Sequence, residues 1–324
     1  MSKGIILHKN GGPEVLVWQD IETGKPGPSQ VLLRQTAIGL NFIDVYHRTG
    51  LYPVPLPGSI GSEAAGIIEE IGEDVTDLHV GQRVAYAGGA PGAYVEKRLL
   101  PADRLVPLPD GIDDKTAAAI MLQGMTTEYL LERTYKVKKG DTILFHAAAG
   151  GVGLLAVQWA KSLGVTVIGT AGNPAKVELA KAHGADHVID YSQEDFVARV
   201  KEITKGAGVP VVYDSVGKDT FIRSLDCLSP FGFMVLFGAS SGPVADFNPG
   251  ILAAKGSLYV TRPTLGTYTA KVEDLRHSAK RLFEQVQSGA VKPNIGQTYK
   301  LSEAAQAHAD LEARKTTGST ILLA

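Results

Sequence analysis

Beyond Gly140, short apolar runs alternate with segments whose apolar residues recur at helical spacing. The apolar runs predict six strands, at residues 142–146, 165–170, 187–189, 210–214, 233–237 and 257–260. Helices between them are indicated by the segments NPAKVELAKAH, SQEDFVARVKEIT and DTFIRSLDCL. Six strands joined by helices predict an α/β fold with a doubly wound parallel sheet.

Before Gly140 the chain reads as short strands separated by glycines and prolines. The strand runs lie at residues 4–8, 15–19, 30–37, 66–71, 83–86 and 93–96. Residues 41–48 have helical character, and residues 113–129 predict a pair of helices. Residues 52–57 (YPVPLP) are too rich in proline for regular structure. The pattern favours a small β-rich barrel or sandwich.

After about Pro263 the alternation of strand and helix breaks again. Helices are predicted at residues 272–288 and 302–314, with Tyr299-Lys300-Leu301 between them and a last strand at 319–323. This tail most simply returns to the first domain. The predicted domains are therefore residues 1–125 joined by 263–324, and residues 126–262. A length of 324 residues fits two domains.

A run of small residues follows the first strand of the second domain. Residues 142–161 read TILFHAAAGGVGLLAVQWAK, a strand, a turn of Ala, Gly and Val, and a helix. Such a turn lets backbone N–H groups approach a diphosphate at the helix N-terminus. The motif is A-x-G-x-x-G, because Ala148 stands at the first glycine position. Its context predicts a dinucleotide site at Gly150, Gly151, Val152 and Gly153, and the alternative is a structural turn without a ligand.

The end of the second strand indicates which dinucleotide binds. NAD enzymes of this fold place an acidic residue there to bind the ribose 2′-hydroxyl. Residues 165–170 are followed by Ala-Gly-Asn with no acid, and Lys176 supplies a cation one turn into the next helix. Lys176 alone could be a solvated helix lysine. With Gly172 and the missing acid it predicts NADPH rather than NADH.

Composition restricts the partners and the compartment. The net charge is −2, hydrophobic residues make up 44% of the chain and Cys227 is the only cysteine. There is no basic run and no apolar run near 18 residues. We therefore expect a cytoplasmic protein that acts on a small molecule, with neither nucleic acid nor a membrane as its main partner.

Several segments together resemble one known family. The stretch around Ala148-Ala149-Gly150-Gly151, with Gln158 and Lys161, resembles the signature of the quinone oxidoreductase (zeta-crystallin) branch of the medium-chain dehydrogenase/reductase superfamily. The segments NFIDVYHRTGLYP, GSEAAGIIEEIG, YDSVG and KGSLYVTRP match segments of the same branch. The resemblance implies a GroES-like catalytic domain, split around a Rossmann domain that binds NADPH, in a homodimer.

The resemblance also implies site residues. The residues that it places on the catalytic side are Asn41, Asp44, Tyr46 and Tyr52. The residues that it and the motif place around the cofactor are Asn41, Tyr46, Thr126, Gly150, Gly151, Val152, Gly153, Gly172, Lys176, Tyr191 and Phe237. Purely structural roles remain as alternatives. Tyr46 and Tyr52 could be packing residues, Asp44 could be the first-turn carboxylate of its helix, and Thr126 could be an ordinary helix hydroxyl.

The sequence lacks the residues that bind zinc in the superfamily's alcohol dehydrogenases. Their Gly-His-Glu-x-x-Gly motif corresponds to residues 61–66, where Ser62 replaces the ligand histidine. Asn41 stands at their catalytic cysteine, and the four-cysteine structural loop is missing. Tetrahedral zinc needs three or four Cys, His or carboxylate ligands. We therefore expect no metal.

Without a Lewis acid, the acceptor of a hydride must itself be electron-poor. The sequence thus predicts a zinc-independent NADPH:quinone oxidoreductase, in which the protein contributes proximity, orientation and hydrogen-bond donors. The enzymatic alternative is a reductase of α,β-unsaturated carbonyls (enones or enoyl thioesters), and the non-enzymatic one is a crystallin or RNA-binding role. The strand at 257–260 reads as an exposed sheet edge, which favours a homodimer.

Overall fold

The computed structural model describes residues 2–324. The chain divides into two compact units. Unit 1 consists of Met1–Met125, Thr269–Gln287 and Pro293–Ala324, and unit 2 of Thr126–Tyr268 and Ser288–Lys292. Residues 263–268 and 288–292, which the sequence analysis assigns to the first domain, belong to unit 2.

Unit 1 is built on a seven-stranded sheet. The strands of this unit are β1 Ser2–Ile6, β2 Val17–Ile21, β3 Gln30–Leu40, β4 Glu63–Ile71, β5 Arg83–Ala87, β6 Lys97–Pro101, β7 Val106–Pro107, β14 Ile295–Lys300 and β15 Ser319–Leu323. The order in the sheet is β14-β15-β3-β4-β5-β7, and β6 also pairs with β3. The strands β1 and β2 form a separate antiparallel pair.

One strand predicted for this unit is wrong. Residues 93–96 contribute only an isolated bridge between Val95 and Gly4, and the strand begins at Lys97. The backbone N–H of Val95 donates to the carbonyl of Ala93, two residues back. This tight turn breaks the extended conformation that the apolar pattern predicts.

The helices of unit 1 are α1 Phe42–Thr49, α2 Asp114–Glu128 (as far as Met125), α9 Val272–Gln287 and α10 Ala304–Glu312. The predicted helix pair at 113–129 is wrong, because α2 is one helix that continues as a π-helix, Tyr129–Thr134. Gly124 does not end the helix. Its missing side chain makes room for Leu282, whose Cδ2 would lie 2.7 Å from a Cβ there.

Unit 2 contains the predicted parallel sheet. Its strands are β8 Thr142–Phe145, β9 Thr166–Ala171, β10 His187–Asp190, β11 Val209–Asp214, β12 Leu228–Leu236 and β13 Tyr259–Thr261. Their order in the sheet is β10-β9-β8-β11-β12-β13, and every neighbouring pair is parallel. The helices are α3 Gly151–Ser162, α4 Pro174–Ala182, α5 Phe196–Ile203, α6 Phe221–Ser224, α7 Gly250–Ala254 and α8 Leu265–Tyr268.

The strand order places a binding site by topology. From β8 the chain first builds outward through β9 and β10, and then returns to β11 on the other side of β8. Ligands of such sheets bind beyond the carboxyl ends of the strands where the direction reverses. The turn after β8 is therefore at the switch point. Within residues 2–324, none of the helices combines the length and the apolar character that crossing a membrane requires.

Candidate functional site

The turn after β8 is held by the two neighbouring strands. The backbone N–H of His146 donates to Tyr213 of β11 (3.0 Å), and that of Ala148 donates to Thr170 of β9 (2.9 Å). Gly150 is the N-cap of α3, and the first bond of this helix runs from Leu154 N–H to the Gly150 carbonyl. The first N–H groups of a helix have no intrahelical partner. Those of Gly151, Val152 and Gly153 therefore suit an anionic diphosphate.

Gly153 and Gly169 make this turn compact. A Cβ on Gly153 would lie 2.7 Å from the carbonyl carbon of Ala148, so only glycine lets the helix approach the turn this closely. A Cβ on Gly169, in β9, would lie 2.7 Å from the Cβ of Ala148. A glycine on the neighbouring strand therefore accommodates the alanine that replaces the first glycine of the motif. These residues fit a dinucleotide diphosphate.

The residues expected at the adenosine 2′-phosphate lie at the end of β9. A Cβ on Gly172 would lie 2.5 Å from the hydroxyl of Tyr191, so the tyrosine ring packs against the glycine. Asn173 caps α4, and its side chain accepts a hydrogen bond from the backbone N–H of Lys176 (2.9 Å). Tyr191 is 44% exposed.

An acidic residue does lie on the neighbouring strand. Asp190 pairs in register with Ala171, but its Oδ1 accepts hydrogen bonds from the backbone N–H and the hydroxyl of Ser192. It is also 9% exposed. Asp190 therefore stabilises the turn after β10.

Two further predicted cofactor residues lie elsewhere in unit 2. Thr126 is buried, and its hydroxyl is hydrogen-bonded to Tyr129, whose ring stacks on that of Tyr268 with centroids 4.5 Å apart. Phe237 directly follows β12, and its ring packs on Phe145 with centroids 5.7 Å apart. Phe237 lies at the same end of the sheet as the diphosphate turn. Thr126 lies on α2 and is the first residue of unit 2.

Sequence reasoning missed the polar side chains that support this sheet end. The imidazole of His146 lies 3.0 Å from the Thr170 hydroxyl and 2.8 Å from that of Ser224. Burial lowers the pKa of His146, so the ring is neutral at pH 7. Asp214 accepts hydrogen bonds from the N–H groups of Val216 and Gly217. The signal in the sequence was the polar residue that ends three of the apolar strand runs, namely His146, Thr170 and Asp214.

In unit 1, Asn41 and Asp44 form the N-terminus of α1. Asn41 is the N-cap, and the Asp44 carboxylate accepts its backbone N–H at 2.9 Å, as in a capping box. Asp44 also accepts the hydroxyl of Ser62 (2.9 Å) and that of Tyr94 (3.1 Å). Asp44 is fully buried, and this burial raises its pKa to about 7 against the effect of the three donors.

The side chain of Asn41 is held by two residues that the sequence analysis did not select. Its Nδ2 donates to Glu63 (2.6 Å), and its Oδ1 accepts from Gln123 (3.1 Å). The second Glu63 oxygen accepts the backbone N–H of Leu122 at 2.6 Å. Burial, with a smaller contribution from Asp44, raises the pKa of Glu63 to about 8. The orientation of the Asn41 amide is therefore fixed by hydrogen bonds.

Tyr46 and Tyr52 belong to a small aromatic cluster. Their ring centroids are 5.2 Å apart in an edge-on arrangement, and Phe42 lies 5.9 Å from Tyr46. The backbone N–H of Tyr52 donates to the carbonyl of Tyr46 (3.1 Å), which ties the proline-rich loop to α1. The four predicted catalytic residues thus lie on α1, at its N-cap or on the loop that follows it.

The Ser62 hydroxyl, which the resemblance sets against the zinc-ligand histidine of alcohol dehydrogenases, donates a hydrogen bond to Asp44. Among residues 2–324, no three His, Cys, Asp or Glu side chains converge as a metal site would require. The arrangement that the structure does contain is a set of hydrogen-bonding and aromatic groups around α1. Such groups can orient an acceptor and stabilise developing negative charge on its oxygen.

Two family models match the chain. The model described as the alcohol dehydrogenase GroES-like domain matches residues 27–110, within unit 1. The model described as zinc-binding dehydrogenase matches residues 151–282.

The chain is also similar over its full length to named proteins. A quinone oxidoreductase of Pseudomonas aeruginosa is 56% identical, with all of both chains covered. The structure of Escherichia coli quinone oxidoreductase complexed with NADPH is 49% identical, covers 99% of this chain and 100% of that one, and superposes with a TM-score of 0.98. A 2-haloacrylate reductase of Burkholderia sp is 47% identical over 100% of this chain and 99% of the relative.

Proposed function

Because the chain belongs to the quinone oxidoreductase family of the medium-chain dehydrogenase/reductase superfamily, we propose that it reduces quinones with NADPH. The observation that carries the proposal is the 56% identity to a quinone oxidoreductase over the whole length of both chains. The E. coli relative was solved as an NADPH complex. The compact turn at Gly150–Gly153 is the local feature that supports the same cofactor here.

The residues of unit 2 hold the cofactor in this proposal. When bound, NADPH supplies the hydride. The N–H groups of Gly151, Val152 and Gly153 bind its diphosphate, and Lys176 and Tyr191 bind the 2′-phosphate over Gly172. Thr126 and Phe237 remain proposed contacts of the same cofactor. The absence of an acid after β9 admits NADPH, because a carboxylate there would repel the 2′-phosphate, and it disfavours NADH, because no carboxylate is there to bind the ribose 2′-hydroxyl.

The residues of unit 1 act on the acceptor. Asn41, Tyr46 and Tyr52 orient the quinone, and Asn41 and Tyr46 also contact the nicotinamide end of the cofactor. Tyr46 or Asn41 donates a hydrogen bond to the oxygen on which charge develops. The fully buried Asp44 is a positioning residue, because it holds the N-cap of the helix that presents Asn41 and Tyr46.

The test is a steady-state assay of the purified protein with NADPH and with NADH. The acceptors are a panel of benzoquinones and naphthoquinones, and NADPH binding is measured separately by fluorescence titration. We expect turnover of quinones with a preference for NADPH. A protein that binds NADPH and reduces none of the quinones would contradict the proposal.

A second candidate substrate class has its own support. The Burkholderia relative, 47% identical, is named 2-haloacrylate reductase, and a haloacrylate is an α,β-unsaturated carboxylate. Adding haloacrylates and simple enones to the panel separates the two classes. If these were reduced at least a hundredfold better than every quinone, reduction of a polarised C=C bond would replace the primary assignment.

We also propose that the enzyme is a cytoplasmic homodimer. The strand β13 is the last in the parallel sheet order, so one of its edges is unpaired. Near it, Phe231 is 67% exposed and Tyr259 is 54% exposed. Pairing of two such edges across a twofold axis would cover both. Light scattering at micromolar concentration tests the mass, and cell fractionation tests the compartment.

A further inference from the structure

A chain of buried hydrogen bonds leads from Arg48 to Asp44 inside unit 1. The guanidinium of Arg48 lies 3.1 Å from Nδ1 of His308, and Nε2 of His308 lies 3.0 Å from the Tyr94 hydroxyl. Tyr94 in turn donates to Asp44 at 3.1 Å. Arg48, Tyr94, His308 and Asp44 are each no more than 1% exposed. We call these four residues the buried relay.

The donors and acceptors of the buried relay have only one consistent direction. An arginine guanidinium carries donors and no acceptor, so Nδ1 of His308 must accept from it. Burial and the nearby Arg48 lower the pKa of His308 to about 3, so the ring is neutral with its proton on Nε2. His308 therefore donates to the Tyr94 oxygen. Tyr94 is left to donate its own proton to Asp44.

Arg48 is itself fixed on both sides. Its two terminal nitrogens donate to the two carboxylate oxygens of Glu312, each at 2.8 Å, and its Nε donates to the carbonyl of Gly11 at 3.1 Å. Glu312 and His308 both lie on α10, while Arg48 lies on α1. The side chain of Glu312 is 34% exposed, whereas that of Arg48 is 1% exposed. The immobilised guanidinium of Arg48 thus sets the direction in which hydrogen bonds are donated along the buried relay.

We propose that Arg48, His308 and Tyr94 are positioning residues for quinone reduction, which act by keeping Asp44 a hydrogen-bond acceptor and thereby hold Asn41 and Tyr46 in place. The inference rests on the proposed function for its link to catalysis. Three hydrogen bonds into Asp44, from Asn41, Ser62 and Tyr94, all favour the carboxylate form. A protonated Asp44 would have to give up one of them.

The groups that face Asp44 come from several elements. Glu63 is the first residue of β4, Ser62 directly precedes it, and Tyr94 lies on the loop before β6. His308 contacts Tyr94 through Nε2 and Arg48 through Nδ1. Glu63 is a second buried carboxyl group, whose own pKa Asp44 helps to raise, and Arg48 is the cation that acts on Tyr94. Burial raises the pKa of Asp44 to about 7, which places its ionisation in the physiological range.

The experiment compares Tyr94→Phe and His308→Gln with the unaltered full-length protein. Tyr86→Phe is the matched control, because Tyr86 is equally buried in the same unit but its hydroxyl donates to Gln35 instead. For each protein the pH profile of kcat is measured with the preferred quinone acceptor, and the pH of its acidic limb is determined. The free energy of unfolding is measured in urea across the same pH range.

Tyr94→Phe removes one donor to the carboxylate, so we expect the acidic limb to move up by about one pH unit. The loss of stability caused by Tyr94→Phe should also be larger at pH values above that limb, where Asp44 is a carboxylate, than at pH values below it. His308→Gln should leave the limb within a few tenths of a unit, because its amide oxygen accepts from Arg48 and its amide nitrogen donates to Tyr94. Tyr86→Phe should not move the limb.

Two results would overturn the inference. One is an unchanged limb and a pH-independent stability loss in Tyr94→Phe, which would make the hydroxyl merely structural. The other is an equal shift in the Tyr86→Phe control. If the unaltered protein reduces no quinone, the proposed function fails, while the pH dependence of the stability loss still decides whether Tyr94 donates to Asp44.

Discussion

A Cβ on Gly172 would lie 2.5 Å from the hydroxyl of Tyr191. A side chain at position 172 would therefore displace the tyrosine ring that packs on the glycine. We predict that Gly172→Ala displaces the ring and weakens NADPH binding by about threefold to tenfold, the value of about one modest hydrogen bond. NADH binding should change less. A fluorescence titration with both cofactors measures this, and an equal loss for both would argue against a role for Tyr191 at the 2′-phosphate.

Lys176→Ala should narrow the preference for NADPH over NADH. A hydrogen bond to a charged group is worth about 1.5–3 kcal/mol, or about tenfold to a hundredfold in affinity. The control is Lys181→Ala on the same helix, since Lys181 forms an exposed ion pair with Glu178 instead. The ratio of kcat/KM for the two cofactors measures the effect. Equal use of NADH and NADPH by the unaltered protein would refute the assignment.

Gly153→Ala should damage the diphosphate turn, while Gly150→Ala should be tolerated. A Cβ at position 153 would collide with the backbone of Ala148, whereas one at position 150 would find its nearest atom 3.3 Å away. We expect Gly153→Ala to lower the free energy of unfolding by about 1–3 kcal/mol and to abolish tight NADPH binding. Urea unfolding and cofactor titration check both variants. Similar behaviour of the two would contradict the packing argument.

Glu63 makes stability depend on pH. Its pKa is about 8 in the folded protein, against an ordinary value of 4.5 for a glutamate side chain. In this window the unfolded state binds fewer protons than the folded one, so the free energy of unfolding falls as pH rises from about 5 to 8. Glu63→Gln removes the titration. Its stability relative to the unaltered protein should therefore rise over this window, by a few kcal/mol at most, and a constant difference would show that Glu63 does not titrate there.

Tyr46→Phe should lower kcat modestly, by about tenfold or less, the size of one neutral hydrogen bond. The aromatic contacts of Tyr46 with Phe42 and Tyr52 remain in this variant, so its stability should change little. Tyr52→Phe is the matched comparison on the same cluster. A loss beyond a thousandfold in Tyr46→Phe would instead make its hydroxyl an obligatory proton donor.

The sequence predicted the features that depend on local pattern. The parallel sheet and the helix after the small-residue turn follow from apolar periodicity and small residues, and both are confirmed in the structure. The helix begins at Gly151, three residues before the helical spacing becomes visible at Leu154. The predicted pair of helices at residues 113–129 was wrong, because Gly124 lies inside a single helix, where its missing side chain admits Leu282.

The polar interior of unit 1 could not be predicted in the same way. Tyr94 and His308 are 214 positions apart in the chain, and their hydrogen bond depends on how α10 returns to the sheet. Glu63 and Gln123 are likewise ordinary polar residues until the fold brings them to Asn41. Pairings at such separations depend on tertiary structure, which no local spacing encodes.

The antiparallel pairing of β15 with β3 has a consequence for the order in which the protein folds during synthesis. Thr320 pairs with Leu40 in the sheet of unit 1, and all of unit 2 lies between them in the chain. The ribosome therefore delivers the parallel sheet of unit 2 complete while unit 1 still lacks β14 and β15. During that interval residues 37–40 of β3, which later pair with β15, have an unpaired edge, which is a site for association with other chains. We therefore expect a chaperone that shields this edge to act on nascent unit 1 until β15 has been synthesised.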